Sequence, residues 1–156
     1  MSGRNEEAGK QIVEGITQSG GTASFHPVDV TSHSSIQALH SYAVSTYGRL
    51  DAAINNSGIA IGMYLLHDTP SEEFERIYQV NQRGPFWCMQ EQIKIMLAQE
   101  KKEGELKRGV IVNMSSMTGV LGTAYVSSYA ATKHAVLILS LVFVKQITDC
   151  ICSWWV

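Results

Sequence analysis

The sequence is poor in cysteine and carries almost no excess charge. Three cysteines, Cys88, Cys150 and Cys152, occur among 156 residues, and the net charge is −2. An odd number of cysteines, without a recognisable export signal, is typical of reduced thiols in a cytosol-like compartment. A nearly neutral chain has no electrostatic basis for binding nucleic acid. We therefore predict a cytoplasmic protein with no nucleic-acid partner.

The ligand spacings of a metal site are missing as well. Cys150 and Cys152 are separated by one residue, and no second cysteine pair or histidine pair accompanies them. The histidines show neither the H-x-x-H nor the H-E-x-x-H spacing. We therefore predict no metal.

Long apolar runs are also missing. The longest candidate, residues 135–144, falls short of the roughly 20 apolar residues that span a bilayer. We predict that this run is a buried helix and that the chain has no membrane partner. The alternative is an interfacial position at a lipid surface, with Trp154 and Trp155 at the boundary.

What the sequence does contain is an alternation of helical and extended segments, which indicates an α/β protein. Asn5 is a candidate cap for the first helix, and Gly20 and Gly48 follow the first and second helices as terminating residues. Residues 69–72 form a capping box with proline at the first helical position. The predicted helices cover residues 5–19, 34–47, 70–79, 80–99 and 126–146, and the predicted strands cover 23–28, 51–55 and 109–114.

Three residues near the end of this pattern suggest a chemistry. Tyr129 and Lys133 are four residues apart, so on a helix they project from one face. A cation about 5 Å from a phenol, at an effective dielectric of about 20, favours phenolate by on the order of two pH units. Ser116 follows an apolar strand and can hydrogen-bond a substrate oxygen. The trio predicts carbonyl reduction or alcohol oxidation, the alternative being a surface tyrosine packed along a lysine stem.

Several short segments, in order along the chain, resemble the short-chain dehydrogenase/reductase family. Asn55-Asn56-Ser57-Gly58 is similar to the family motif Asn-Asn-Ala-Gly, and Val80 to Phe86 resembles the helical segment that carries the catalytic asparagine. Residues 3–7 and the pair Asp29-Val30 resemble the segments around the adenosine. The resemblance runs from Gly3 to about Ala135.

The resemblance implies roles for individual residues. Tyr129 would be the acid/base, Ser116 would orient the substrate oxygen, and Asn81 would support a water in the proton relay. Lys133 would acidify Tyr129 and, with it, hold the nicotinamide ribose. The cofactor would be NADP or NAD, and Arg4 favours NADP because a guanidinium pairs with a 2′-phosphate. The implied cofactor-binding residues are Arg4, Asp29, Val30, Asn56, Gly58, Tyr129 and Lys133.

Each of the cofactor-binding residues has a simpler interpretation. Arg4 can be a solvated arginine at the entry of a helix. Asp29 can cap the helix that follows Thr31. Asn55 and Asn56 can be turn formers, although with the resemblance we favour the interpretation in which they brace the sheet and line the cofactor pocket.

The implied fold is a partial one. We predict a doubly wound, Rossmann-like parallel sheet that lacks the first strands and the C-terminal strands. The glycine-rich turn that cradles the pyrophosphate is missing, and Gly20-Gly21 is no substitute because it follows a helix and precedes a strand. We interpret residues 1–139 as a partial NAD(P)-binding domain, truncated at both ends, and residues 140–156 as a divergent apolar tail.

Two functions remain at this point. The first is an NAD(P)-dependent oxidoreductase acting on a small alcohol or carbonyl compound. Its substrate pocket would be lined by residues 58–68 and 117–125. The second is a catalytically inactive fragment that associates with intact relatives, or with a second copy, through helices 80–99 and 126–146. The predicted apolar lining includes Met63, Tyr64, Leu65, Met117 and Tyr125, and it leaves the substrate open.

Overall fold

The computed structural model describes residues 1–60, 62–146 and 150–155, with the backbone alone for residues 144–146 and 151–155. Helices and strands alternate along the chain, as predicted. Two short 3₁₀ turns, Leu66–Asp68 and Met117–Gly119, lie in the connections. The strands are β1 (Ser2–Gly3), β2 (His26–Pro27), β3 (Ala52–Asn55), β4 (Gly109–Met114) and β5 (Cys150–Trp155), and the helices are α1 (Glu6–Gln18), α2 (His33–Tyr47), α3 (Ser71–Tyr78), α4 (Gly84–Ala98) and α5 (Ser127–Gln146).

The described strands form two separate parallel sheets. β1 pairs with β2, with Ser2 opposite His26. β3, β4 and β5 form the second sheet with β4 in the centre, and Ala52 lies opposite Val110. All three pairings are parallel, which requires the crossover helices that the sequence contains. The predicted α/β architecture with a partial parallel sheet is therefore confirmed.

The sheets contain two strands beyond those predicted. Ser2–Gly3 form β1, and residues 150–155 add β5 beside β4, within the segment predicted to be a divergent tail. The predicted strand at 23–28 is shorter in the structure, because only His26 and Pro27 find partners in the two-residue strand β1.

Local signals located the first two helices correctly. The Asn5 side chain accepts a hydrogen bond from the Ala8 N–H, and the chain leaves α1 through Gly20 at φ 84°. Ser32 caps α2, which ends at Gly48 with φ 78°. A positive φ is strained for any residue with a Cβ, and this is why a glycine follows the C-terminal end of α1 and another follows that of α2.

The predicted capping box at 69–72 is wrong. The Thr69 hydroxyl donates to the Leu65 carbonyl at 3.2 Å instead of capping α3, and Pro70 precedes the first helical residue, Ser71. Thr69 directly follows a 3₁₀ turn, so its hydroxyl satisfies a carbonyl of that turn. The predicted break between residues 79 and 80 is also wrong, because a π-helical turn, Gln79–Arg83, joins α3 to α4.

The core lies between the three-stranded sheet and helices α4 and α5. A second, smaller cluster packs Val28, Ile36 and Cys88 between β2, α2 and α4. The apolar run at 135–144 belongs to α5 and buries one face, while Ile138 and Val142 are exposed. In the part of the chain that the structure describes, no helix meets the length and hydropathy that a bilayer crossing demands. The main core consists of Met89, Met96, Ile111, Phe143 and Cys150.

Candidate active site

Ser116 lies just beyond the carboxyl end of β4, in an extended conformation. Its Oγ accepts hydrogen bonds from the Thr118 N–H at 3.3 Å and from the Thr118 hydroxyl at 3.1 Å. Both bonds use lone pairs of the serine oxygen, so the Ser116 proton stays available to a further acceptor. A hydroxyl held in this way can donate to the oxygen of a bound carbonyl or alcohol.

Lys133 joins the end of β4 to the helix that carries Tyr129. The lysine is only 5% exposed, and its Nζ donates to the Met114 carbonyl at 2.8 Å. The same Nζ lies 5.8 Å from the centre of the Tyr129 ring. Burial lowers the pKa of Lys133, because the charged ammonium loses hydration. The ammonium and the phenol are therefore neighbours on α5, as the spacing predicted.

The turn after Ser116 packs tightly against α5. The Ser115 hydroxyl donates to the Lys133 carbonyl at 3.0 Å. A Cβ at Gly119 would overlap the Ser115 Oγ and would lie 3.0 Å from the Lys133 carbonyl oxygen. Glycine at this position lets the strand end and the helix approach closely enough to place Ser116 and Lys133 in one region.

Asn81 occupies the π-helical turn and is 1% exposed. Its Nδ2 donates to the Ile59 carbonyl, and its Oδ1 accepts from the Ile59 N–H, both at 2.8 Å. A Cβ on Gly58 would lie 3.5 Å from the Asn81 Oδ1 and 3.6 Å from the Lys133 Nζ. Asn81 thus fixes the loop after β3 against the lysine, and π-helical turns of this kind are frequent at functional sites.

A buried polar network behind the site was not predicted in full. Asn55 and Gln92 exchange two amide hydrogen bonds, at 3.0 and 2.8 Å, and Asn55 also donates to Asn113 at 2.7 Å. Asn113 donates to the Ser140 hydroxyl at 2.8 Å. The network links β3, β4, α4 and α5. This agrees with the interpretation that Asn55 braces the sheet. The available signal was the asparagine that follows an apolar run in each of β3 and β4.

The segments predicted to bind the adenosine end of a cofactor meet at one cavity of about 160 Å³. Asp29 accepts from the Thr31 N–H and hydroxyl at 2.9 and 2.8 Å. These bonds, led by the one from the backbone and helped by the nearby Arg4 charge, lower the pKa of Asp29. Ser32 is the cap of α2, so Asp29 orders the turn before this helix and does not cap it. The lining consists of Gly3, Arg4, Val28, Asp29, Val30, Thr31, Ser57, Gly58, Ile59 and Val80.

Asn56 lies apart from that cavity. It is exposed and lines a neighbouring cavity, which shares Val28, Val30 and Ser57 with the first.

The two segments predicted to line the substrate pocket contact each other. The Tyr64 N–H donates to the Tyr125 carbonyl at 2.9 Å, and Tyr125 has a positive φ of 67°. Among the other predicted lining residues, Met63, Leu65 and Met117 are exposed. Ile61 lies outside the described residues.

The sequence profile described as short chain dehydrogenase matches residues 1–149. The chain belongs to the short-chain dehydrogenase family. The match extends beyond residue 139, where we placed the end of the partial domain.

Two curated relatives illustrate the similarity. A 3beta-hydroxysteroid dehydrogenase from Mediterraneibacter gnavus is 32% identical over 134 residues, which are 86% of this chain and 46% of that protein. A cyclopentanol dehydrogenase from Comamonas testosteroni is 35% identical over 136 residues, with 87% and 51% covered. The chain therefore spans about half the length of these relatives.

Solved structures of short-chain dehydrogenases agree with the fold. A Burkholderia phymatum enzyme in complex with NAD superposes with a TM-score of 0.90 at 24% identity, covering 98% of this chain and 53% of that one. The structure of ElxO with NADP bound gives a TM-score of 0.79 at 31% identity, covering 92% of this chain and 57% of that one. The first comparison, at its low identity, supports the fold alone.

Proposed function

We propose that this short-chain dehydrogenase chain carries the catalytic residues of an NAD(P)-dependent oxidoreductase that interconverts an alcohol and a carbonyl compound. The observation that carries the proposal is the buried ammonium of Lys133, bonded to the Met114 carbonyl and adjacent to the Tyr129 ring. Burying a lysine ammonium to this extent costs free energy because the charge loses its hydration, and such lysines are common at functional sites.

Each side chain has a distinct task in this proposal. The Tyr129 phenol gives its proton to the substrate oxygen in reduction and takes it back in oxidation. The Ser116 hydroxyl donates a hydrogen bond to the same oxygen and opposes the charge that develops there. Lys133 holds its ammonium 5.8 Å from the centre of the Tyr129 ring, beside the group that exchanges the proton. Asn81 supports the proton relay from its position behind Gly58.

The residues at both ends of the cofactor site fit a nicotinamide dinucleotide. Asp29 offers an acceptor for the adenine amino group, Val30 an apolar surface for the ring and Arg4 a partner for a 2′-phosphate, so we favour NADP over NAD. Gly58 lies directly beside Lys133, since a Cβ at this position would be in van der Waals contact with the Lys133 Nζ at 3.6 Å. The bound cofactor would supply or accept the hydride.

The rest of the cofactor site is less complete. Asn56 would line it on the side of β3, while Tyr129 and Lys133 would hold the nicotinamide ribose. These 156 residues contain no glycine-rich turn between a strand and a helix to cradle the pyrophosphate. We therefore expect weak cofactor binding by this chain.

The substrate class, the domain division and the location stay proposals. Relatives act on cyclic alcohols such as cyclopentanol and on hydroxysteroids, according to their names, and these make a suitable substrate panel.

We keep residues 1–139 as the partial NAD(P)-binding domain and 140–156 as the divergent tail. A cytoplasmic location agrees with the buried thiol of Cys88, whose pKa is raised to about 12 by burial.

The test compares Tyr129→Phe with Tyr78→Phe, a matched substitution on α3. We expect NADPH binding by isothermal titration in the parent chain and in both variants, and turnover that falls about 10²–10⁴-fold in Tyr129→Phe alone. If the folded parent chain binds no NADPH, the proposal fails for this chain. The alternative of an inactive fragment, paired with intact relatives, has no specific observation in its favour.

A further inference from the structure

Thr118 directs two hydrogen-bond donors at a single atom, the side-chain oxygen of Ser116. Its N–H lies 3.3 Å from the Ser116 Oγ, and its hydroxyl lies 3.1 Å from the same atom. A serine oxygen has two lone pairs and one proton, so these two bonds use its full capacity as an acceptor. Ser116 can then interact with a further polar group only by donating its proton.

The turn that carries Thr118 is held in place on both sides. The Gly119 N–H donates to the Ser116 carbonyl at 2.8 Å, which closes the turn beyond β4. On the other side, Gly119 is buried against helix α5, where a Cβ would lie 3.0 Å from the Lys133 carbonyl oxygen. The Thr118 hydroxyl therefore has a defined position relative to both Ser116 and the helix that carries Tyr129.

The direction of the bond between the two hydroxyls has a chemical consequence. A hydroxyl that accepts a hydrogen bond becomes a better donor, because each bond in a chain polarises the next one. The Thr118 hydroxyl donates to Ser116, so a substrate oxygen that accepts from Ser116 becomes the third member of such a chain. The gain is largest when that oxygen develops negative charge, as it does between the carbonyl and the alcohol.

We infer that Thr118 is a positioning residue for Ser116. Its hydroxyl holds the Ser116 hydroxyl with the proton directed outward and strengthens the hydrogen bond that Ser116 gives to the substrate oxygen. The inference rests on the proposed function, because it assigns Thr118 a task only through the role of Ser116. Thr118 acts without touching the substrate, since its own proton is committed to Ser116. The competing structural role is closure of the 3₁₀ turn alone.

The orientation of Ser116 is measurable without turnover. The three-bond Hα–Hβ couplings of Ser116, measured by nuclear magnetic resonance, show whether its side chain keeps one rotamer. We expect one rotamer in the parent chain and in Thr118→Ser, which keeps the hydroxyl. Thr118→Val keeps the shape and the N–H but loses the hydroxyl, so its couplings should move toward the rotational average. Thr17→Val, which removes an exposed hydroxyl bonded to the Val13 carbonyl in α1, is the control.

Steady-state oxidation of cyclopentanol with NADP separates positioning from substrate contact. We expect Thr118→Val to lower kcat about three- to tenfold, the effect of one hydrogen bond, and to change KM less than about twofold. Thr118→Ser should restore the parent kcat. In a Ser116→Ala background, Thr118→Val should cause no further loss, because the group that it positions is already gone.

Two results would overturn the inference. The first is a set of Ser116 couplings that Thr118→Val leaves unchanged. The second is an equal loss of kcat from Thr118→Val in the parent chain and in the Ser116→Ala background, because Thr118 would then act independently of Ser116. A parent chain without turnover would count against the proposed function instead, and the Ser116 couplings would still decide the role of Thr118.

Discussion

At the residue scale, the site depends on polar side chains that are buried yet paired. The Lys133 ammonium keeps one carbonyl partner, and the Asn81 amide uses both of its ends on the Ile59 backbone. An unpaired polar group in the same position costs about 1–3 kcal/mol. These hydrogen bonds fix the positions of the Lys133 and Asn81 side chains. A substitution that removes one partner should lower the free energy of unfolding by a comparable amount.

Asn81→Ala should destabilise the fold. It leaves the N–H and C=O of Ile59 without their partners, so we expect the free energy of unfolding to fall by about 2–4 kcal/mol. Urea unfolding followed by circular dichroism measures this. Asn56→Ala, at an exposed asparagine, is the control and should change stability by less than about 0.5 kcal/mol. Equal effects of the two substitutions would contradict the anchoring role of Asn81.

His40 should make stability depend on pH. Burial lowers the pKa of His40 below its ordinary value of 6.5. As the pH falls below 6.5, His40 becomes protonated in the unfolded chain but stays neutral in the folded chain. The free energy of unfolding therefore decreases until the pH reaches the lower pKa of His40 in the folded chain. His40→Gln removes this contribution and should flatten the curve in that window. Urea unfolding across the pH range is the measurement, and parallel curves would contradict the prediction.

At the element scale, strands and helices are joined by side-chain amides as well as by apolar packing. The amides of Asn55 and Gln92 link β3 to α4, and Asn113 extends the link through β4 to Ser140 on α5. All four elements meet behind the strand end that precedes Ser116. The network therefore orients the elements that position the candidate catalytic residues.

A double-mutant cycle on Asn55 and Gln92 should be strongly non-additive. Asn55→Ala leaves the buried Gln92 amide without its partner, at a cost of about 1–3 kcal/mol, and Gln92→Ala leaves the Asn55 carbonyl oxygen without the Gln92 donor, whereas the double variant removes both groups. We expect a coupling free energy of about 1–2 kcal/mol from chemical denaturation. The control cycle combines Asn55→Ala with Gln11→Ala on the exposed face of α1. Coupling of the same size in both cycles would be evidence against the network.

At the scale of the whole molecule, the described sheet is covered on one face and open on the other. Helices α4 and α5 bury the Met89 and Ile111 side, while Ile54 on the opposite face stays in water. An open edge beside an exposed apolar face favours association of chains through their edges. The colloidal behaviour of the chain should therefore depend on β3.

Ile54→Lys should reduce self-association more than a lysine elsewhere on the surface. A charge at the open edge is disfavoured in a strand pairing, so we expect fewer large species by light scattering at equal concentration. Leu106→Lys is the matched control, because Leu106 is also exposed but lies in the loop before β4. If the two variants reduce association equally, net charge and not the edge is responsible.

Local sequence signals predicted the ends of the first two helices and the proximity of Tyr129 and Lys133. A cap such as Asn5, a terminating glycine such as Gly48 and the four-residue spacing of Tyr129 and Lys133 act within one or two turns, so a short stretch of sequence contains all the interacting atoms. The order of helices and strands followed for the same reason, because periodicity is local. The family resemblance also rested on short motifs and their order.

Tertiary structure alone decided the contacts between distant segments. The Thr69 hydroxyl bonds the Leu65 carbonyl instead of capping α3. Asn81 lies in the π-helical turn that joins two helices predicted to be separate, and its side chain bonds Ile59, 22 residues away in the chain. The pairing of β5 with β4 likewise depends on which strand edges come together. Such pairings arise between segments far apart in the chain, and their energies depend on burial and on partners that no local window of sequence contains.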